Sequence, residues 1–372
     1  MPADPFRLQL RGRLGDLRQD WDDLVDRQQL PSPFLKSWWL AHAGAGHVTF
    51  LCVLAGDRLV GGAAFEVDRF GPGPVGVERV RVVGHGPLAP DHLDLLTEAD
   101  EAVSAEVERL VLEWLRRPGS RLLDLDGLAA HGVLARTFAA HELERQGAPY
   151  AVLPSTGGEY LADRPGKLRS TVTRTRKRFD REGVVLRRVA AGEVDRALDT
   201  LAELHDQRWS EASRFLRAWP RFRAAAAAGA SSGEVVVSEL VADSGEVVAT
   251  ELDLLAGRRA AFYQAGRRIE REWRGCGSVL RAGLIDDFCE DGVTEYDLLR
   301  GDEPYKADWA AERREVVHCR LGVGPRGRLV AGALVGWRRV APTALRLRDV
   351  WRDLVSRAPW RPRRAARVEL SD

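Results

Sequence analysis

Hydrophobic and polar positions along the chain follow two periods, two and about 3.6 residues. FRLQLRG (6–12) alternates like a strand, and Trp21, Leu24 and Val25 then recur at helical spacing with Asp16 placed as a cap. PFLKSWWLAHAG (33–44) reads as an aromatic helix ended by Gly44. HVTFLCVLAGDRLVGGAAFEV (47–67) predicts a hairpin turning at Gly56-Asp57. VERVRVVGHG is a further strand and PLAPDHLDLL a loop. A long helix follows over 97–119 with Thr97 as its cap, then a strand at 120–128, a helix at 131–147 and a strand at 149–156.

From Val184 the same order returns. VVLRRV is a strand, 193–209 and 220–230 are helices, and 235–243, 245–257 and 258–266 are three strands joined by short turns. A glycine-rich loop, a helix over 278–291 and a strand at 294–299 complete the repeat, and EVVHCRLGV with RLVAGALVG predicts a closing hairpin. The chain therefore divides into an N-terminal half (1–156), a connector (157–183), a C-terminal half (184–336) and a tail (337–372). A repeated element order without residue identity points to a duplicated α/β domain with one copy specialised.

Composition narrows the picture. A chain of 372 residues with 45% hydrophobic residues can bury two cores, and a net charge of +1 argues against a global field for nucleic acid or membrane. The four lysines (Lys36, Lys167, Lys177, Lys306) against 52 arginines carry the coding bias of a GC-rich, bacterial genome. Cys52, Cys276, Cys289 and Cys319 form no CxxC pair and no cluster with histidine, which predicts reduced cysteines, no structural zinc and a cytoplasmic protein. No signal-type segment opens the chain, and no run of 18 apolar residues occurs.

Chemistry concentrates in residues 271–309, REWRGCGSVLRAGLIDDFCEDGVTEYDLLRGDEPYKADW. Gly275 and Gly277 bracket Cys276, Ser278 is placed to cap the following helix, and Gly292 stops it. Free amides at a helix start suit a phosphate. The candidate cradle is the backbone of Gly275, Cys276, Gly277 and Ser278, with Arg271 and Arg274 beside it. Glycines that merely close a tight turn would read the same. Past the next strand stand Arg300, Asp302, Glu303, Tyr305 and Lys306. Tyr305 is a candidate proton donor, Asp302 and Glu303 candidate bases, and Arg300 and Lys306 candidate anion partners, unless these charges only pair with one another. Glu251 and Asp253 share one side of a strand, facing a cleft or solvent. His205 and Trp209, one helical turn apart, could line an acceptor pocket or pack. Asp91, His92 and Asp94 form a D-H-x-D loop with no further metal ligand at a telling spacing. The helix at 164–183 carries Lys167, Arg169, Arg174, Arg176, Lys177, Arg178 and Arg181, spread around its circumference. It reads as a connector, an anionic-acceptor groove or a tRNA contact. The arginine-rich tail could touch an anionic membrane surface.

The element order, with a Gly loop after the third consecutive antiparallel strand, resembles the GNAT acyltransferase fold. The C-terminal half looks most like the GNAT-like domain of CelD/BcsL-type (BioF2-like) proteins, named for cellulose-biosynthesis clusters. Their RG-D-E-x-Y-K-x-x-W signature stands here as Arg300, Gly301, Asp302, Glu303, Tyr305, Lys306 and Trp309. LHDQRW (204–209) matches that family's first helix, and PFLKSWW (33–39) its N-terminal opening. The two-halved plan is also similar to Fem-type transferases, which take aminoacyl groups from tRNA. The resemblance implies an α/β protein of two tandem GNAT-like domains, each a mixed, mostly antiparallel sheet flanked by helices. It implies N-acyl transfer from acyl-CoA (acetyl-CoA or a longer acyl group) to a small-molecule amine, without a metal, with Tyr305 as thiolate acid and the N-terminal half shaping the acceptor cleft. Transfer from aminoacyl-tRNA and a catalytically silent scaffold in polysaccharide assembly are the alternatives. One departure stands out: the family's [Q/R]-x-x-G-x-[G/A] loop reads E-W-R-G-C-G here, with Glu272 at the first position.

Overall fold

The computed structural model describes residues 6–72, 76–209 and 215–336, without the side chains of Arg208 and Trp209. The tail and the helix expected in it therefore lie outside the described residues.

The first half builds β1 (Phe6–Arg11), α1 (Arg18–Asp26), α2 (Ser37–His42), β2 (Val48–Ala55), β3 (Arg58–Phe70), β4 (Val77–Val82), β5 (Leu96–Thr97), α3 (Glu101–Arg116), β6 (Arg121–Ala129), α4 (Val133–Thr137) and β7 (Glu142–Val152). After α5 (Gly157–Ala162) and α6 (Gly166–Arg181) come β8 (Val185–Arg188), α7 (Val194–Trp209), α8 (Trp219–Ser231), β9 (Val235–Val241), β10 (Val247–Ala256), β11 (Arg259–Arg267), α9 (Cys276–Glu290), β12 (Glu295–Asp297), α10 (Lys306–Trp309) and β13 (Glu312–Val323).

The two repeats do not form separate sheets. One 13-stranded sheet runs β1-β2-β3-β4-β6-β13-β7-β12-β11-β10-β9-β8, with β5 paired to β3. The halves exchange strands: β13, from the end of the described chain, lies between β6 and β7, and β7 in turn pairs antiparallel with β12. Within each half the order repeats, since β4 pairs parallel with β6 across α3, and β11 pairs parallel with β12 across α9.

This exchange explains two departures from the periodicity. RLVAGALVG does not complete a hairpin, because both edges of β13 are already paired; residues 324–336 are helical instead and seat Val330, Ala331 and Leu334 against Phe70, Val77 and Leu122. The helix expected over 131–147 stops at Thr137, because Glu142 onward joins β7 and pairs with β13. Caps differ too. Asp100, not Thr97, caps α3 by accepting the Val103 N–H (2.9 Å), and Asp16 pairs with Arg11 instead of capping α1.

The core crosses the boundary between halves. Phe34 packs edge-on to Trp39 (4.9 Å between centroids), Trp39 to Tyr263 (5.8 Å), and Tyr263 stacks on Phe222 (5.1 Å). The Tyr263 hydroxyl donates to the Leu88 carbonyl (2.8 Å), so its polar end is satisfied across the same boundary. In the C-terminal half α7 and α8 cover one face of the sheet, and α5, α6 and α9 the other. Leu168, Val172 and Phe179 of α6 are buried against α9, so the expected connector is a packed layer of the C-terminal half. No described helix is long and apolar enough to cross a membrane.

Candidate active site

α9 begins at Cys276, two residues before the position read from the sequence. Its N-cap is Gly275 in the left-handed region (φ 92°), not Ser278. Only glycine holds that conformation cheaply, and a Cβ there would also stand 2.8 Å from Thr175 Oγ1 of α6. The N–H groups of Ser278 and Val279 return to the Gly275 carbonyl (both 3.1 Å). That narrows the cradle: Cys276 and Gly277 occupy the first turn, where an amide has no intrahelical acceptor, whereas Ser278 is already engaged. Arg271 and Arg274 are exposed on the loop, as is Glu272, and the Arg274 carbonyl takes a bond from Arg178 of α6 (3.3 Å). Cys276 is fully buried, which raises the pKa of its thiol, whereas Gly277 beside it is partly exposed.

The equivalent helix of the N-terminal half is α3. There the first turn is capped by the chain's own Asp100 carboxylate, so only α9 presents an uncapped start at this position of the repeat.

One helical turn beyond the loop lies the residue on which the site is built. Arg281 is 6% exposed and grips Glu251 of β10 with two bonds (3.1 and 3.0 Å). Its guanidinium lies 3.9 Å from the Phe262 ring centroid and 5.6 Å from those of Tyr305 and Trp309. The Tyr296 hydroxyl contacts Glu251 (2.7 Å) and Asp253 (3.1 Å). Glu251 and Asp253 thus share one strand face as expected, but that face is buried beneath α9 and is neither solvent nor an open cleft. Burial first, and the Glu251 charge second, push the Asp253 pKa well up, and its Oδ2 has no hydrogen-bond partner. Arg281 remains charged, since Glu251 outweighs its burial.

Tyr305 is half-exposed (41%) at the start of α10. Its phenol pKa is raised by burial, with Arg281 pulling down and Glu303 and Glu251 pushing up. Glu303 and Asp302 are exposed and paired with Lys306 and Arg313 (3.0 Å each).

The remaining motif residues hold the backbone. Lys306 Nζ donates to the Leu299 (3.2 Å) and Arg300 (2.7 Å) carbonyls and pairs with Glu303, so its three donors are used by the protein itself. Arg300 is spent on Asp91, Asp126 (2.8 Å) and the Pro90 carbonyl. The D-H-x-D loop is its counterpart, and each member has a structural partner. Asp91 binds Arg300, His92 Nε2 lies 2.9 Å from Asp297 Oδ2, and Asp94 accepts the Val133 (2.7 Å) and Leu134 (3.0 Å) amides at the start of α4. Burial alone would raise Asp297, yet His92, Arg259 and Arg314 hold its carboxyl far below the carboxylate range. His205 packs against Phe215 (5.4 Å) on α7, across the sheet from Tyr305, and the Trp209 side chain lies outside the described residues.

Arg281, Phe262 and Tyr296 belong to none of the motifs that mark the sequence. The signal was present for Arg281: it is the one charge within VLRAGLI, where a helix otherwise shows apolar residues on every side.

Comparison with known proteins agrees with this location. Residues 166–307 match a family model described as an acetyltransferase (GNAT) domain. No curated protein matches the sequence. Among solved structures, FemX superposes with a TM-score of 0.60 at 11% identity, covering 81% of this chain and 95% of that one. A conserved protein of unknown function from Bacteroides thetaiotaomicron VPI-5482 gives 0.54 at 10% identity, covering 84% and 99%. At such identities these likenesses speak for the fold alone. The segment holding the loop, Arg281 and Tyr305 lies within this match to an acetyltransferase (GNAT) domain, which supports an acyltransferase enzyme.

Proposed function

We propose that the chain transfers an acyl group from acyl-CoA to the nitrogen of a small amine in the cytoplasm, with the reaction centred on Tyr305. The observation that carries this reading is the placement of the Tyr305 ring beside Arg281, four residues, or about 6 Å of helix rise, after Gly277. A diphosphate at the start of α9, against the partly exposed Gly277 and flanked by Arg271 and Arg274, would set the donor's thioester within reach of the phenol.

In the step itself the neutral amine attacks the thioester carbonyl carbon, the C–S bond breaks, and an amide and a thiolate result. Glu303, exposed two residues before Tyr305, takes the proton lost by the amine, directly or through water. Tyr305, a phenol whose pKa burial raises further above its ordinary 10, supplies a proton to the thiolate. Positioning contributes the remainder of the rate. The Arg300–Trp309 signature supports kinship with CelD/BcsL-type proteins. Arg300 and Lys306 of the signature serve by fixing the turn that presents the phenol.

A second reading, transfer from aminoacyl-tRNA, is favoured by one feature. Lys167, Arg174, Lys177 and Arg181 are exposed on α6 at spacings of seven, three and four and so share one stripe, while Arg169, also exposed, lies off it. The stripe adjoins the loop through Arg178 and could engage RNA phosphates. Isothermal calorimetry with acetyl-CoA, longer acyl-CoA and aminoacyl-tRNA decides between the readings. Acyl-CoA binding that is lost in Gly277→Val supports the first; tRNA binding without acyl-CoA binding sinks it. Binding of neither donor would point to a silent scaffold.

A further inference from the structure

The buried ion pair beneath Tyr305 is larger than a fold needs at that point. Taking Arg281 and Glu251 out of water is costly, and apolar residues of similar volume would fill the same space without that penalty. The pair is also built with care. Glu251 engages Arg281 with both oxygens, and Tyr296 occupies a further site on Oε1. The flat face of Arg281 is stacked on Phe262, which leaves no freedom for the guanidinium to turn. The result is one fixed positive charge whose outer side meets the ring of the half-exposed Tyr305.

We propose that Arg281 is a positioning residue for the reaction. Held by Glu251 and Phe262, it fixes the Tyr305 ring and steadies the negative charge that the phenol oxygen gains as its proton passes to the departing thiolate. This inference rests on the reading of Tyr305 as the thiolate's acid.

The groups facing the phenol fix the direction of the effect. From α9 comes Arg281, which favours the phenolate. From its own turn comes Glu303, and from β10, behind Arg281, comes Glu251; both disfavour it. Tyr296 and Asp253 lie deeper, on the far side of Glu251. Arg281 is the one cation in this set. Without it the phenol holds its proton more tightly and becomes a poorer donor to the thiolate, while the ring loses one of its supports.

The test uses the whole chain and three variants. Arg281→Lys keeps a charge but loses the two-pronged grip and the stack. Arg281→Met strands Glu251 in the core, so Arg281→Met combined with Glu251→Gln removes the pair while leaving no buried charge behind. The Tyr305 phenol is titrated by ultraviolet difference spectroscopy, with Tyr305→Phe subtracted, and kcat and KM for acyl-CoA are measured across pH. The double variant is expected to raise the phenol pKa by about half a unit, since losing the Glu251 charge offsets part of the loss of the larger Arg281 effect, and to lower kcat roughly tenfold with little change in KM. Arg281→Lys should leave the titration near that of the wild type and recover part of kcat. An unchanged phenol titration in the double variant, or a loss confined to KM, would overturn the proposal. So would failure of all three variants to fold, which would assign Arg281 to the core alone. Full activity in Tyr305→Phe would instead remove the acid role from Tyr305, while the titration would still report whether Arg281 governs the phenol.

Discussion

Arg300 donates its backbone N–H to Asp91 Oδ2 (2.7 Å) and its Nε to Oδ1 of the same carboxylate, 209 positions earlier in the chain. The contact ties the turn that carries Tyr305 to the N-terminal half. It lies in a strained corner, since Ala89, His92 and Leu299 all adopt positive φ (42°, 57° and 57°). Non-glycine residues stay in that region only when their surroundings hold them there. Here Arg300, Lys306 and Asp297 do so, the last accepting the Leu299 N–H at 2.7 Å.

Arg300→Met should therefore destabilise the whole chain by about 3–5 kcal/mol, because it strands a wholly buried carboxylate. Urea unfolding followed by circular dichroism measures this. A loss below about 1 kcal/mol would show that the junction is not what joins the halves.

Lys306→Met should cost about 1–3 kcal/mol by leaving the Leu299 and Arg300 carbonyls without their donor. Lys306→Arg should not restore it, since a planar fork cannot reach three partners arranged around one nitrogen. Thermal denaturation of the two variants checks both points.

Tyr305→Phe is expected to lower kcat about a hundredfold with KM for the donor nearly unchanged, because the ring and its contact with Arg281 are kept and only the proton is lost. Steady-state kinetics with an acyl-CoA and a panel of amines supply the measurement.

Gly275→Ala should cost about 1–2 kcal/mol, given a positive φ and the approach of Thr175, and should weaken donor binding by tilting the first turn of α9. Calorimetry on the folded variant separates the two effects: unchanged donor affinity would mean the loop is only a turn.

Acid stability should depend on Asp124. Burial alone would raise its carboxyl, but His318 Nε2 (2.6 Å) and Arg320 hold it at about 2, below its ordinary 3.8. Since the folded value is the lower one, the stabilisation is complete above about pH 4. It is lost as pH falls through about 2, and amounts to on the order of 2 kcal/mol. Asp124→Asn should flatten the acid limb of a stability–pH curve over that window.

Local pattern alone determined a good deal of this protein. Period-two runs marked β2, β3, β10 and β11, and 3.6-residue spacing marked α1, α3 and α7. Gly275 and Gly292 bracketed α9, because turn glycines and amphipathic faces are written over a few neighbouring residues. The same signals located the turn around Tyr305.

Tertiary structure alone decided which of the charged residues around that turn are left for chemistry. Lys306, Arg300 and Asp91 look like ligand-binding groups in sequence, yet their partners come from a distant segment or from main-chain carbonyls that no periodicity records. Arg281 becomes a centre only because β10, β11 and α10 converge on it. The strand exchange was hidden for the same reason: β13 carries an ordinary strand pattern, and its place between β6 and β7 is set by which strand edges the two halves leave open. Pairing of edges and of charges is a property of the assembled surface, and a chain read in order contains only its components.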